Sequence, residues 1–168
     1  MHNPSRLNSL FNACICISAL VAVFIALISQ HMFDMQPCAW CVFQRLLFLC
    51  IALFSAVSWF IASFKVKAAS NTLTILTGLG GIASTLYQLN VASKQFSCDQ
   101  TFADIFMTRS GLESALPQLF GIYATCADAR IHLLGLEYAV WALLLFALQT
   151  IAATMAVIFS YRSRHNLN

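Results

Sequence analysis

Four apolar stretches dominate the chain, at about 10–29, 42–64, 73–92 and 138–159, and within them only Arg45 carries a formal charge. A spanning helix needs about 20 mostly apolar residues. Each stretch is long enough, so the expected fold is an all-α membrane protein: one integral-membrane domain over residues 1–168, built as a four-transmembrane-helix bundle. The first stretch follows Arg6 and resembles a signal peptide at first sight. It is too long for the apolar core of one, and no A-x-A-like cleavage site follows it. It reads as a retained helix. Composition agrees: 9% of residues are charged, against roughly 25% in soluble domains. The 60% hydrophobic content excludes disorder. Nine Lys and Arg giving a net charge of +3 cannot build a stripe that neutralises phosphates, so nucleic-acid binding is excluded too.

The few charges orient the spans, because Lys and Arg concentrate in short cytoplasmic segments. Arg6 lies in the N-terminal tail, Lys65 and Lys67 between spans two and three, and Arg162 and Arg164 in the C-terminal tail. The other side receives the loops at about 30–41 and 93–137, which hold all six acidic residues but only Lys94, Arg109 and Arg130 among the basic ones. Both termini are therefore expected inside. In the longer outer loop, Ser110 and Glu113 have the spacing of a capping box. Leu112, Leu116, Leu119 and Phe120 follow at helical intervals, interrupted by Pro117. This pattern predicts a short amphipathic helix lying on the membrane surface.

Topology sorts the seven cysteines. Cys14, Cys16 and Cys50 fall inside spans one and two and read as small buried hydrophobes. Cys38, Cys41, Cys98 and Cys126 all map to the outer side, where an oxidising compartment favours disulfides. Cys38 and Cys41 form a C-x-x-C just after Pro37, and proline is favoured at the first helical position. If Pro37 opens span two, Cys38, Cys41 and Arg45 share one helical face. A helix N-terminus and a nearby cation favour thiolate, the nucleophile of disulfide exchange. Arg45 itself has two readings. It lies one turn inside the span and can snorkel to the interface, or it can stabilise negative charge beside Cys41, on a thiolate or a reduced cofactor. Four cysteines also admit a zinc site. Structural zinc usually takes two short Cys pairs, whereas 27 residues separate Cys98 from Cys126.

With those residues in view, the chain resembles the DsbB family, the four-span thiol:quinone oxidoreductases of the bacterial inner (cytoplasmic) membrane. The likeness covers nearly the whole chain. It is carried by Cys38-x-x-Cys41-x-x-x-Arg45 at span two, by Pro117-Gln118 ahead of Cys126-Ala127, and by Leu134-Gly135-Leu136-Glu137 with Trp141 entering span four. The resemblance implies two redox-active disulfides, Cys38–Cys41 and Cys98–Cys126, facing the periplasm. A DsbA-like periplasmic thiol oxidase would be reoxidised through Cys98 and Cys126. Cys38 and Cys41 would take over the electrons, and Cys41 would pass them to ubiquinone or menaquinone from the membrane pool. Arg45 would bind the quinone, with Cys41 in charge-transfer contact. Gln44 departs from the acidic residue expected there, and span three has no His, which leaves Tyr87 and Gln88 as the nearest polar candidates for the ring. A DsbI-like paralogue with one dedicated partner and a non-enzymatic, disulfide-stapled tetraspan scaffold are the competing readings. A metal-binding transporter is less attractive, because the spans carry few polar residues. A vitamin K epoxide reductase-like enzyme would be expected to carry its C-x-x-C late in the chain.

Overall fold

The computed structural model describes residues 4–61, 63–92, 100–133 and 135–165. Lys94, Cys98 and Leu134 lie outside these, as does the side chain of Arg164. Four long helices dominate: α1 (Pro4–Met32), α2 (Ala39–Phe60), α3 (Phe64–Asn90) and α7 (Tyr138–His165). They pack in a ring, α1 on α2, α2 on α3, α3 on α7 and α7 back on α1. At about 1.5 Å per residue, even the 22-residue α2 reaches roughly 33 Å, enough for the hydrocarbon core.

Helices α1, α2 and α7 are long and apolar enough to cross a membrane. Helix α3 is equally long, but its apolar character is diluted by Ser70, Asn71, Thr74, Ser84, Thr85 and Gln88. These side chains are turned inward, whereas Leu73, Leu76, Leu79 and Leu86 face outward. Phe24 of α1 and Leu148 and Ile151 of α7 face outward as well. A water-soluble fold would arrange these groups the other way round. The molecule is an all-α membrane protein, with one small hairpin as the exception.

Small residues let the helices approach. A Cβ on Gly81 would run into the ring of Phe146, and one on Gly78 into Thr150. Phe146, wholly buried, stacks on Phe48 at 4.0 Å between ring centroids. Without a hydrophobic driving force between helices in lipid, such close packing is the main attraction available.

Element ends depart from the sequence expectation. Helix α2 begins at Ala39 with Cys38 as its N-cap, one turn before position 42, and Pro37 stays outside it. It stops at Phe60, and α3 starts at Phe64, so Lys65 and Lys67 ride on the first turn of α3 instead of a loop. The single amphipathic helix expected after Ser110 is also corrected. The outer segment folds as α4 (Phe102–Ser110), α5 (Leu112–Ala115) and α6 (Pro117–Phe120), then a hairpin of β1 (His132–Leu133) and β2 (Leu136–Glu137). Gly111 adopts a left-handed conformation (φ 72°) that ends α4. The Ser110 hydroxyl turns back to the Met107 carbonyl at 2.8 Å, and Glu113 accepts from Thr108, so the proposed Ser110–Glu113 cap does not form. Pro117 has no N–H and restricts Leu116, which splits the rest into two single turns. The capping box of this segment is Thr101 with Asp104, at the start of α4.

Candidate redox centre

The C-x-x-C is built into a helix start. Cys38 is the N-cap of α2 (φ −86°, ψ 170°), and Cys41 stands at the third helical position. That is the spacing of a capping box, with sulfur in place of oxygen: the Cys38 backbone N–H hydrogen-bonds to the Cys41 sulfur. The two sulfurs lie 3.0 Å apart. Directly before them, the Pro37 carbonyl accepts backbone N–H groups from Tyr123 at 3.1 Å and Ala124 at 3.3 Å. These two bonds dock the second outer loop on the C-x-x-C and carry Cys126 against Cys38. Cys38 is 0% exposed, whereas Cys41 and Cys126 are partly exposed. Hydrogen bonds to Cys126 and to Cys41, then burial, push the Cys38 thiol well above the ordinary cysteine range.

Arg45 lies one helical turn beyond Cys41 and is only 5% exposed, so it does not snorkel. Its guanidinium donates to Gln30 Oε1 at 2.6 Å, the Leu119 carbonyl at 3.1 Å and the Ala26 carbonyl at 3.3 Å. All three acceptors are uncharged. Of five N–H donors, two remain for another group, among the described residues. Arg45 and Cys41 border a cavity of about 260 Å³ between α1, α2 and α7. Gln44 and Gln88 also line it, and Val23, Ile25, Phe48, Trp141 and Leu145 supply apolar walls. Such a cavity suits a flat apolar group with polar edges.

A family model described as "Disulfide bond formation protein DsbB" matches residues 8–156. The chain belongs to the DsbB family. It is 28% identical to Disulfide bond formation protein B of Cupriavidus metallidurans, over 90% of this chain and 92% of that protein. It is 29% identical to Disulfide bond formation protein B 1 of Pseudomonas syringae pv. syringae, over 82% of each. Disulfide bond formation protein B of Pseudoalteromonas atlantica is 30% identical, over 79% of this chain and 78% of its own. Membership makes this a membrane protein of disulfide bond formation.

The segments that carry the DsbB resemblance have structural work to do. Gly135 takes a left-handed φ of 82° at the turn of the hairpin. Glu137 pairs with Arg130 at 2.7 Å, and the Trp141 indole donates to the Leu133 carbonyl at 3.2 Å. Together they tie the end of the Cys126 loop to the start of α7. Of the residues singled out by sequence, Cys38, Cys41, Arg45 and Cys126 meet in one place, while Cys98 falls outside the described residues. Cys16 is buried in the bundle and Cys50 partly so, but Cys14 faces outward, on the side of α1 away from the core. Gln30, which accepts from Arg45, and Tyr138, which lines the same cavity, were not anticipated. Both stand where an apolar stretch meets a loop, the usual place for polar-tipped side chains at a membrane boundary. Tyr87 turns outward onto Trp40, with ring centroids 5.0 Å apart, while Gln88 turns inward.

Proposed function

We propose that this DsbB-family protein is a thiol:quinone oxidoreductase of the bacterial inner membrane that reoxidises a periplasmic DsbA-like dithiol. One observation carries the reading. Cys41 and Arg45 open on an apolar cavity, while the companion sulfur, Cys38, is buried beneath Cys126. A soluble protein cannot reach a wholly buried sulfur, so electrons have to arrive through Cys126.

The exchange balances as follows. A reduced partner attacks the Cys98–Cys126 disulfide at Cys98 and leaves as a disulfide, with Cys98 and Cys126 reduced. The role of Cys98 rests on the family resemblance. Cys126, as thiolate, then attacks Cys38 of the Cys38–Cys41 disulfide and releases the Cys41 thiolate. Cys98 attacks Cys126, restores its own disulfide and frees Cys38. The Cys38/Cys41 dithiol now holds two electrons and two protons. A quinone held between Cys41 and Arg45 would supply the oxidising power, taking up both as Cys38 and Cys41 close their disulfide again. The chain holds the Cys41 sulfur at the cavity wall, offers a carbonyl oxygen the two Arg45 N–H groups that have no partner among the described residues, and excludes water with apolar walls.

Helix α3 serves as the fourth span in this reading, since its outward face is leucine-rich. Both termini lie in the cytoplasm and the α4–β2 segment faces the periplasm, as the basic residues indicate. The outward Phe102, Ile105 and Phe106 of α4 rest in the outer membrane interface, a role first assigned to the leucines after Ser110. The test is turnover of a reduced DsbA-like protein by purified chain with added quinone. Oxidation should require quinone and stop in Cys41→Ser. Undiminished turnover in that variant would refute the proposal.

A further inference from the structure

We propose that Gln44 and Gln88 form an amide relay that aims an N–H at the Cys41 sulfur and sets its reactivity. Both side chains are buried, Gln44 on α2 and Gln88 on α3. Gln44 Nε2 donates to Gln88 Oε1 at 2.7 Å. The two ends of an amide are nearly equal in size, and the hydrogen-bond partners decide which way it points. With its oxygen engaged, Gln88 turns Nε2 to the C-x-x-C, 3.3 Å from Cys41 Sγ and 3.8 Å from Cys38 Sγ. The nearer sulfur is the one that borders the cavity.

The physical role follows from charge. An anionic sulfur accepts a stronger hydrogen bond than a neutral one, and apolar surroundings amplify the difference. Arg45 supplies net positive charge to the site, whereas Gln88 supplies a directed dipole without adding charge. Gln88 thus touches a reacting atom, and Gln44 is a positioning residue that acts through it. This proposal rests on the Cys41 chemistry above and is independent of which oxidant the cavity admits.

The test is alkylation of Cys41 by iodoacetamide as a function of pH. It uses the full-length protein in detergent, fully reduced and with Cys38→Ala, so that Cys41 has no dithiol partner, and quinone is left out. Losing the N–H should shrink the thiolate fraction about tenfold below the midpoint. A less stabilised thiolate is intrinsically more nucleophilic, with a Brønsted slope of about 0.4–0.5. Gln88→Met should therefore react about threefold slower below the midpoint and about threefold faster on the alkaline plateau. A crossing of the two profiles is not what a loosened structure gives, and alkylation of Cys126 monitors the fold. Gln44→Met should shift the profile in the same direction by less, and the double variant should match Gln88→Met alone. Should Gln88→Met fail to fold, Gln88→Asn draws the amide back by one methylene and should cross in the same way. Profiles that scale without crossing, or a double variant whose effect is the product of the singles, would overturn the relay. Because no quinone is present, failure here leaves the proposed oxidase activity standing, and failure of turnover leaves this result standing.

Discussion

Arg45 is a buried cation held by an amide and two carbonyls, and that arrangement separates charge from support. Its attraction for an anion is not spent on a carboxylate. Arg45→Gln should lower quinone reduction by about 10²-fold, the usual loss for a directed donor at a reacting oxygen. Dithiol exchange with the periplasmic partner should stay within about threefold, since Cys126 and Cys38 do not depend on it. Stopped-flow quinone reduction, followed separately from mixed-disulfide formation, checks the split. Cys38 leads to a second prediction at this scale. Its thiol is held neutral and covered, so in reduced protein at pH 8 iodoacetamide should label Cys126 well before Cys38. Raising the pH past the ordinary cysteine value of about 8.5 favours the unfolded chain, which ionises first. The stability of the reduced protein should fall there, and Cys38→Ala should remove that dependence. The grouping of Cys38, Cys41 and Arg45 at the start of α2 was legible from spacing alone, because C-x-x-C and a lone charge stand out in an apolar stretch. The docking of Cys126 was not, because two backbone N–H groups on the Pro37 carbonyl leave no mark in side-chain identity.

The long helices were readable from hydropathy to within a turn or so at most ends. What hydropathy could not give was the rotation of each helix. Helix α3 is the least apolar of the four long helices, and Ser70, Thr74, Ser84, Thr85 and Gln88 share its inward face while Thr72 stays exposed. That inward face carries two consequences. Gly81 leaves room for Phe146 and no more, so Gly81→Val should cost about 1–3 kcal/mol, read as a lower midpoint of thermal unfolding in detergent. Asn71 is wholly buried on α3, and neither of its amide atoms has a partner among the described residues. Replacing an unsatisfied amide by an apolar group of similar size removes a desolvation penalty of about 1–3 kcal/mol. Asn71→Leu should therefore raise the same midpoint. The outer helices were misread for a local reason. Gly111 and Pro117 stop a helix whatever the leucine periodicity promises, whereas the capping box of Thr101 and Asp104 starts one ahead of Phe102, Ile105 and Phe106.

Among the described residues, polar and apolar groups are sorted twice: radially, with many leucines outside and the polar side chains of α3 inside, and along the bundle axis, with the candidate redox residues at one end. Lys65 and Arg109 are exposed near opposite ends of this axis. In a background without native cysteines, Arg109→Cys should react with a membrane-impermeant maleimide in intact spheroplasts. Lys65→Cys should react only after lysis. Equal labelling of both in intact cells would reverse or abolish the proposed orientation.

The carbonyl of Pro37 has a further consequence for how such a protein can change. The second loop is held over the sulfurs by main-chain groups of Tyr123 and Ala124, which every residue except proline can supply. Side chains along this loop are therefore free to be retuned to the contours of a new soluble partner without loosening its seat. In the proposed exchange the molecule couples a fixed electrical contact to an interchangeable plug, and substitutions in the loop should alter which partner is served long before they alter electron transfer between the sulfurs.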